Sequence, residues 1–174
     1  MHLAPACADG SSAMRRASIL TALLAVVLVA VSAGAAASQG PSRIVLEVKP
    51  ISSRSFDKPP KGPSAGDRSV DATKLLNAVP QFGKPAGAVV GHDRGTATLL
   101  SPTSAKAKGV AYLPGGTLTF DGRVKLDRRR GGFTVPVTRG TGAFAGARGT
   151  LWVVRVPNPV RTLNVYSLRY AATA

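Results

Sequence analysis

The sequence predicts an all-β domain, a sandwich or a barrel, on three observations. Short runs rich in Val, Ile, Thr and Phe recur along the chain, with about 8–15 residues from one run to the next. Glycine and proline stand between these runs instead of collecting in one linker, as turns between strands require. A chain of 174 residues has the length of one domain and not of a large multidomain enzyme.

The predicted strands follow one another from residue 44 to residue 170. Two neighbouring segments, 88–90 and 97–100, form one or two strands, and a turn at 155–159 separates the last two. The stretch 57–67 is too rich in proline and glycine for a strand or a helix, so an irregular loop is predicted. In chain order the strand segments are 44–48, 88–90, 97–100, 109–113, 117–120, 133–138, 150–156 and 162–170.

One segment, 71–79, does not follow the all-β pattern. Its apolar residues Ala72, Leu75, Leu76 and Val79 are three or four positions apart. Residues with that spacing share one face of a helix. Taken alone, the pattern therefore predicts a helix here.

The first 37 residues are predicted to be a secretory signal peptide. Two arginines directly follow Met14, an apolar core of 13 residues occupies 19–31, and small residues then offer cleavage after Ala35 or Ala37. On this interpretation Met14 is the true first residue. The alternative is a membrane anchor, but 13 apolar residues fall short of the roughly 20 that cross a bilayer.

Cleavage after Ala37 leaves an exported domain at 38–174. The whole chain has 23 Lys and Arg against 8 Asp and Glu, a net charge of +15, which becomes +14 when two arginines and one aspartate are removed. The only cysteine, Cys7, is removed as well, so a secreted domain without disulfides depends on its hydrophobic core. The absence of thiols excludes cysteine nucleophiles, zinc–thiolate sites and thiol redox chemistry.

Residue types of common catalytic and metal sites are few and scattered in the domain. His92 is its only histidine, and on a strand the adjacent Asp93 points to the opposite face and cannot orient it. The carboxylates stand singly, without a pair at metal-ligand or glycosidase spacing, so no metal is expected. The glycines of 140–146 match neither a phosphate loop nor a dinucleotide fingerprint, and they predict sharp backbone turns.

The basic segment 125–130 is predicted to be a hairpin tip. Its residues Arg128, Arg129 and Arg130 are candidates for weak electrostatic binding to anionic surfaces, such as lipid headgroups or envelope polymers. The alternative is a solvated loop in a protein that is arginine-rich throughout. One Trp and three Tyr are too few to stack nucleic-acid bases, so no specific nucleic acid is expected as a partner.

The glycine-rich segment carries a resemblance to a known family. Residues 135–149 read VPVTRGTGAFAGARG, which resembles the VTGGTGxFxGAxG signature of the allene oxide cyclase and dirigent superfamily, with Arg139 in place of its first glycine. Three further segments resemble elements of that family in the same order along the chain: 64–67 (SAGD), 83–91 (GKPAGAVVG) and 116–120 (GTLTF). The resemblance covers about 43–172, essentially the exported domain, and is strongest to bacterial, exported barrels of the allene oxide cyclase type.

This resemblance implies a single antiparallel β-barrel of about eight strands, wide enough for one small ligand. It implies that 71–79 is a strand and not a helix. Allene oxide cyclases convert an unstable fatty-acid epoxide to a cyclopentenone, and dirigent proteins direct the coupling of phenoxy radicals. Both orient a reactive substrate by the shape of the barrel, so no cofactor is expected.

The resemblance also suggests site residues. Glu47 lies on the first strand, where plant cyclases carry a functional glutamate, and a carboxylate inside an apolar barrel would help to polarise an epoxide. The alternative is a surface glutamate beside Lys49. Further candidates for substrate binding, from strand alternation and from the acidic and tyrosine groups that dirigent proteins need, are Asp93, Tyr112, Asp121, Trp152, Tyr166 and Tyr170.

Two functions therefore stand. The first is a secreted, cofactor-independent cyclase, isomerase or dirigent-like protein that acts on a hydrophobic small molecule. The second is a non-catalytic exported barrel that binds an apolar ligand or an anionic cell-envelope polymer. An apolar interior cavity with one or two buried polar groups favours the first. An interior filled by apolar side chains favours the second.

Overall fold

The computed structural model describes residues 40–126 and 131–171. The predicted signal peptide and the arginines of the predicted basic tip, Arg128, Arg129 and Arg130, lie outside the described residues. Within the described ranges, no helix has the length and apolar character needed to cross a membrane. The eight strands are β1 Arg43–Phe56, β2 Arg68–Asn77, β3 Val89–Ser101, β4 Ser104–Leu113, β5 Gly116–Lys125, β6 Gly132–Gly140, β7 Ala147–Pro157 and β8 Val160–Tyr170.

The strands form one closed antiparallel barrel. Each strand pairs with the next along the chain, and β8 returns to pair with β1, with Val45 opposite Val165. Closure gives every strand a partner on both sides, which is how an all-β domain without covering helices satisfies its backbone hydrogen bonds. At one seam the pairing is short, because β5 and β6 pair only between residues 118–120 and 137–140. The all-β prediction and the eight-stranded antiparallel barrel are confirmed.

Residues 71–77 belong to strand β2, and Ala78 and Val79 follow it in a bend, so the helix predicted from the pattern is wrong and the strand implied by the resemblance is correct for 71–77. Leu75 faces the interior and is fully buried, and Leu76, on the outer face, is only 8% exposed. Burial on both faces removes the alternation that marks a strand. The remaining apolar spacing then matches a helix by coincidence.

Side chains that alternate along the strands fill one half of the barrel, which we call the closed half. Ile44, Leu75, Leu118, Phe144 and Tyr166 are its largest members, and each is completely buried. Fully burying a side chain of this kind stabilises the fold by about 1.5–3 kcal/mol. The closed half is therefore the hydrophobic core of the domain.

The glycine-rich signature closes this half. A short 3₁₀ helix, Gly142–Phe144, turns the chain inward and buries the Phe144 ring. Gly142 has a φ of +60°, a conformation that favours glycine, and a Cβ on Gly140 would overlap the Phe144 carbonyl. The prediction of sharp turns in this segment is confirmed.

The opposite half, which we call the open half, has small residues on its inner wall. Gly95, Ala97 and Ala107 face inward where the closed half carries Leu and Phe. A bulge between Pro50 and Ser52 of β1 reverses which residues face inward there, because the side-chain period of a strand is two.

The loop 57–67 lies at the rim of the open half, as the proline and glycine content predicts. The carboxylate of Asp67 accepts hydrogen bonds from the backbone N–H groups of Lys58, at 2.9 Å, and Ser64, at 2.7 Å. These bonds hold the pKa of Asp67 below its usual value, the bond from Lys58 most. In the SAGD element, Asp67 therefore shapes the loop at the rim.

Candidate functional site in the barrel lumen

The open half encloses a cavity of about 180 Å³ between the strands. Most of the cavity wall is apolar. The apolar side chains come mainly from β4 to β7 and include small residues and aromatic rings. Two further cavities adjoin it at the rim, of about 380 Å³ beside Phe56 and Leu99 and about 370 Å³ beside Phe133 and Arg155. The first shares only Ala97 with the inner cavity. The second shares Phe133, Val153 and Thr162, so a ligand larger than 180 Å³ has room to extend toward the rim on that side.

A buried carboxylate with two hydrogen-bond donors forms the polar side of the cavity. The Thr73 hydroxyl donates to Oδ1 of Asp93 at 2.5 Å, and the Asn164 amide donates to Oδ2 at 3.3 Å. Asp93 is 8% exposed and Asn164 is 4% exposed. The three residues come from neighbouring strands of the closed sheet, β2, β3 and β8 with β1 between, so the barrel itself positions them.

Burial governs the ionisation of this group. Loss of water raises the pKa of Asp93 above its usual value, and the hydrogen bonds from Thr73 and Asn164 offset part of that rise. The neighbouring Asp71 carboxylate raises the pKa further. Asp93 is thus a buried carboxyl group that holds its proton to a higher pH than an exposed aspartate does, a property that acid–base chemistry uses.

Tyr166 lies one inward position deeper than Asn164 on β8 and is fully buried. Burial, and then the charge of Asp93, raise the pKa of its phenol above the usual range. The phenol therefore stays protonated and is available as a donor. Among the described residues its hydroxyl has no hydrogen-bond partner.

Three of the seven predicted site residues face the interior. Asp93 and Tyr166 lie close enough for the Asp93 charge to act on the phenol. Tyr170 lies at the closed end, where its hydroxyl donates to the Pro41 carbonyl at 3.2 Å. The structure thus brings Asp93 and Tyr166 together and leaves Tyr170 away from the cavity.

The other four face outward. Tyr112 stacks on His92 with ring centroids 4.6 Å apart, and Trp152 is 46% exposed. Asp121 lies 3.6 Å from the Lys106 ammonium. The Glu47 carboxylate lies 3.9 Å from the Lys49 ammonium on the outer face, which is the geometry of the surface alternative. A catalytic role for Glu47 stays a prediction.

Sequence reasoning missed Thr73 and Asn164, the two donors to Asp93. A signal for Asn164 was present in the sequence. Asn164 precedes Tyr166 by two positions, and side chains two positions apart on a strand point to the same face. Thr73 gave no such signal, because 71–79 matched a helix. Among the described residues, no group of three or more His, Cys, Asp or Glu is placed to hold a metal ion.

Comparison with known proteins gives structural neighbours of low sequence identity. Pyocyanin demethylase has a TM-score of 0.59 at 22% identity, over 73% of this chain and 99% of that chain. The exo-specific intermolecular Diels–Alderase AbnU has a TM-score of 0.56 at 14% identity, over 72% of this chain and 96% of that chain. The pterocarpan synthase dirigent protein GePTS1 has a TM-score of 0.55 at 16% identity, over 74% of this chain and 90% of that chain.

At these identities the likeness establishes the fold. The chain is a barrel of the type found in cyclases and dirigent proteins, and the resemblance in the sequence is confirmed at that level. No protein-family model matches the sequence, and no curated protein matches it.

Proposed function

We propose that this chain is an exported barrel that binds one small hydrophobic molecule in the open half of its lumen. Without a cofactor, it orients that molecule for a cyclisation, an isomerisation or a coupling. The observation that carries the proposal is the cavity with apolar walls and a single buried, hydrogen-bonded carboxylate, Asp93. A lumen filled by apolar side chains would have favoured a non-catalytic barrel, and the open half contains an unfilled cavity.

The chemistry available at this site is positioning and exclusion of water. Holding a flexible substrate in a reactive conformation lowers the entropic part of the barrier, and apolar walls strengthen every electrostatic contact inside. Asp93 accepts a hydrogen bond when ionised and donates one when protonated.

The structural neighbours support the chemical class. They include a Diels–Alderase, a cyclase that catalyses a [4 + 2] cycloaddition and pterocarpan synthase dirigent proteins. An allene oxide cyclase reaction is one member of this class. For that reaction, unchanged turnover of Glu47→Gln would assign Glu47 to the surface.

Native mass spectrometry of the protein purified from its own source tests the lumen site. Ala107→Leu adds three side-chain carbons at the cavity wall, and Trp152→Ala on the outer face is the matched control. We expect the unaltered protein and Trp152→Ala to retain an apolar small molecule that Ala107→Leu loses. Equal retention by Ala107→Leu would contradict the proposal.

Export is the second part of the proposal and rests on the sequence alone. N-terminal sequencing of secreted protein should find the chain beginning near Ala36 or Ser38. A secreted chain that begins at Met1 or Met14 would contradict cleavage.

A further inference from the structure

The lumen of the open half is polar on one side and apolar on the other. Strands β4 to β7 contribute inward-facing Ala107, Phe120, Val135, Leu151 and Val153. The remaining adjacent strands, β8, β1, β2 and β3, contribute a set that is mainly hydroxyl, amide and carboxylate groups. This polar stripe consists of Ser53, Ser69, Asp71, Thr73, Asp93, Thr162 and Asn164.

The hydrogen bonds within the stripe all converge on its two carboxylates. Asp71 accepts from the hydroxyls of Ser53, at 2.6 Å, and Ser69, at 3.0 Å. Asp93 accepts from Thr73 and Asn164. An ionised carboxylate has about four lone-pair sites, so each aspartate keeps capacity for a donor from a ligand. The stripe offers acceptors to a ligand, and four of its own donors are already directed to its two carboxylates.

The charge inside the lumen is therefore negative. Arg68 and Arg155 stand at the rim and Lys108 borders the cavity, but all three are exposed, and water and salt screen their fields. Asp93 is almost completely buried, and Asp71 is partly buried. In the low dielectric of the interior, like charges interact far more strongly than at the surface.

We propose that the lumen selects neutral or cationic ligands with one apolar face and a hydrogen-bond donor on the opposite edge, and rejects ligands that carry a carboxylate. Asp93 is the main determinant of this selectivity, and Asp71 contributes nearer the rim. The inference rests on the proposed lumen site and specifies its ligand class. Phenolic, hydroxylated and amine-bearing ring compounds belong to that class, and free fatty acids do not.

Three ring-matched probes test the selectivity: 2-naphthol, 2-(aminomethyl)naphthalene and 2-naphthoate. Their dissociation constants are measured by isothermal titration calorimetry at pH 7.5. We expect naphthoate to bind at least about tenfold more weakly than the other two, because its carboxylate would lie beside a like charge, and repulsion equivalent to one pKa unit corresponds to about a factor of ten in affinity.

Variants identify the residues responsible. Asp93→Asn should bring naphthoate to within about threefold of naphthol and weaken the amine about tenfold, since it removes the charge and keeps the shape. Asp71→Asn should change the same ranking less, and the matched control Asp121→Asn on the outer face should leave all three constants unchanged.

The outcomes separate the two proposals. If no probe binds, or if Ala107→Leu leaves binding unchanged, the lumen site fails and the selectivity fails with it. If the probes bind in the lumen but naphthoate equals or exceeds the amine, the selectivity alone is overturned. A ranking that Asp93→Asn and Asp71→Asn both leave unaltered would also overturn it.

Discussion

The closed half and the open half of the barrel are built by the same alternation of side chains, and they differ in side-chain size. In the closed half, inward positions carry Leu118, Phe144 and Tyr166, which exclude any ligand. In the open half, the equivalent positions of β3 and β4 carry Gly95 and Ala107. The comparison shows that the same alternation of side chains produces a packed core in one half and a cavity in the other. Substitutions in the closed half should therefore change stability, and substitutions in the open half should change ligand binding.

The largest expected effect lies in the closed half. Phe144→Ala should lower the free energy of unfolding by about 3–5 kcal/mol, because it removes a fully buried ring and leaves a cavity. The control is Phe133→Ala in the open half, where the ring already borders a cavity, and we expect less than half that loss. Urea unfolding measures both, and equal losses would contradict the division into two halves.

Two glycines in the barrel wall differ in how much space surrounds them, and this difference gives a second test. Gly95 and Gly109 lie directly opposite each other on β3 and β4. A Cβ on Gly109 would lie 2.5 Å from the Arg94 carbonyl oxygen and would clash with the Phe120 ring, whereas a Cβ on Gly95 has no atom nearer than 3.5 Å. Gly109→Ala should destabilise the fold by about 1–3 kcal/mol in urea unfolding. Gly95→Ala should cost less, and the reverse order would contradict this packing.

A smaller effect is expected from the pH dependence of Asp93. Because its pKa is raised above 3.8 in the folded chain, the folded state binds this proton more tightly than the unfolded chain does. Stability from this group is therefore gained as the pH falls through the folded pKa toward 3.8, and it is lost above that pKa. Unfolding at pH 4.5 and 7.5 should show the unaltered protein gaining stability relative to Asp93→Asn at the lower pH. An unchanged difference would mean that Asp93 is solvated, and a relative loss would mean that its hydrogen bonds hold its pKa below 3.8.

The smallest effect is expected at the rim, where Asp67 behaves in the opposite way. Its lowered pKa means that its contribution is present above 3.8 and is lost as the pH falls through the folded value. Asp67→Asn should loosen the loop 57–67 and raise the rate of trypsin cleavage after Lys61, with little change in global stability. Asp121→Asn is the control, and an unchanged cleavage rate in Asp67→Asn would show that Asp67 does not hold the loop.

Much of the fold follows from the sequence, and the exceptions have physical causes. The later strands were predicted within a few residues, because they alternate between a buried inner face and a wetter outer face. The end of β1, from Ser52 to Phe56, is exposed throughout, so no apolar pattern marked it. Burial on both faces concealed β2 at Leu75 and Leu76.

The site was predictable only in part, because inward or outward direction depends on register. Asp93 and Tyr166 face inward as predicted, whereas Tyr112, Trp152 and Asp121 face outward. A bulge between Leu75 and Leu76 in the pairing of β2 with β3 changes which side chains face inward, and no pattern in the sequence marks this bulge. Pairing across a closed barrel then brings Asn164 to Asp93, 71 positions apart in the chain.

The most direct test of the lumen site is an NMR titration of the isotope-labelled protein with 2-naphthol. We expect chemical-shift changes at Asp93, Asn164 and Phe133 in the open half, and almost none at Phe144 in the closed half or at Trp152 on the outer face. Asp93→Asn should change the shifts at Asn164 most. Shifts centred on Trp152, or a complete absence of shifts at saturating naphthol, would contradict the claim that the open half is a ligand site.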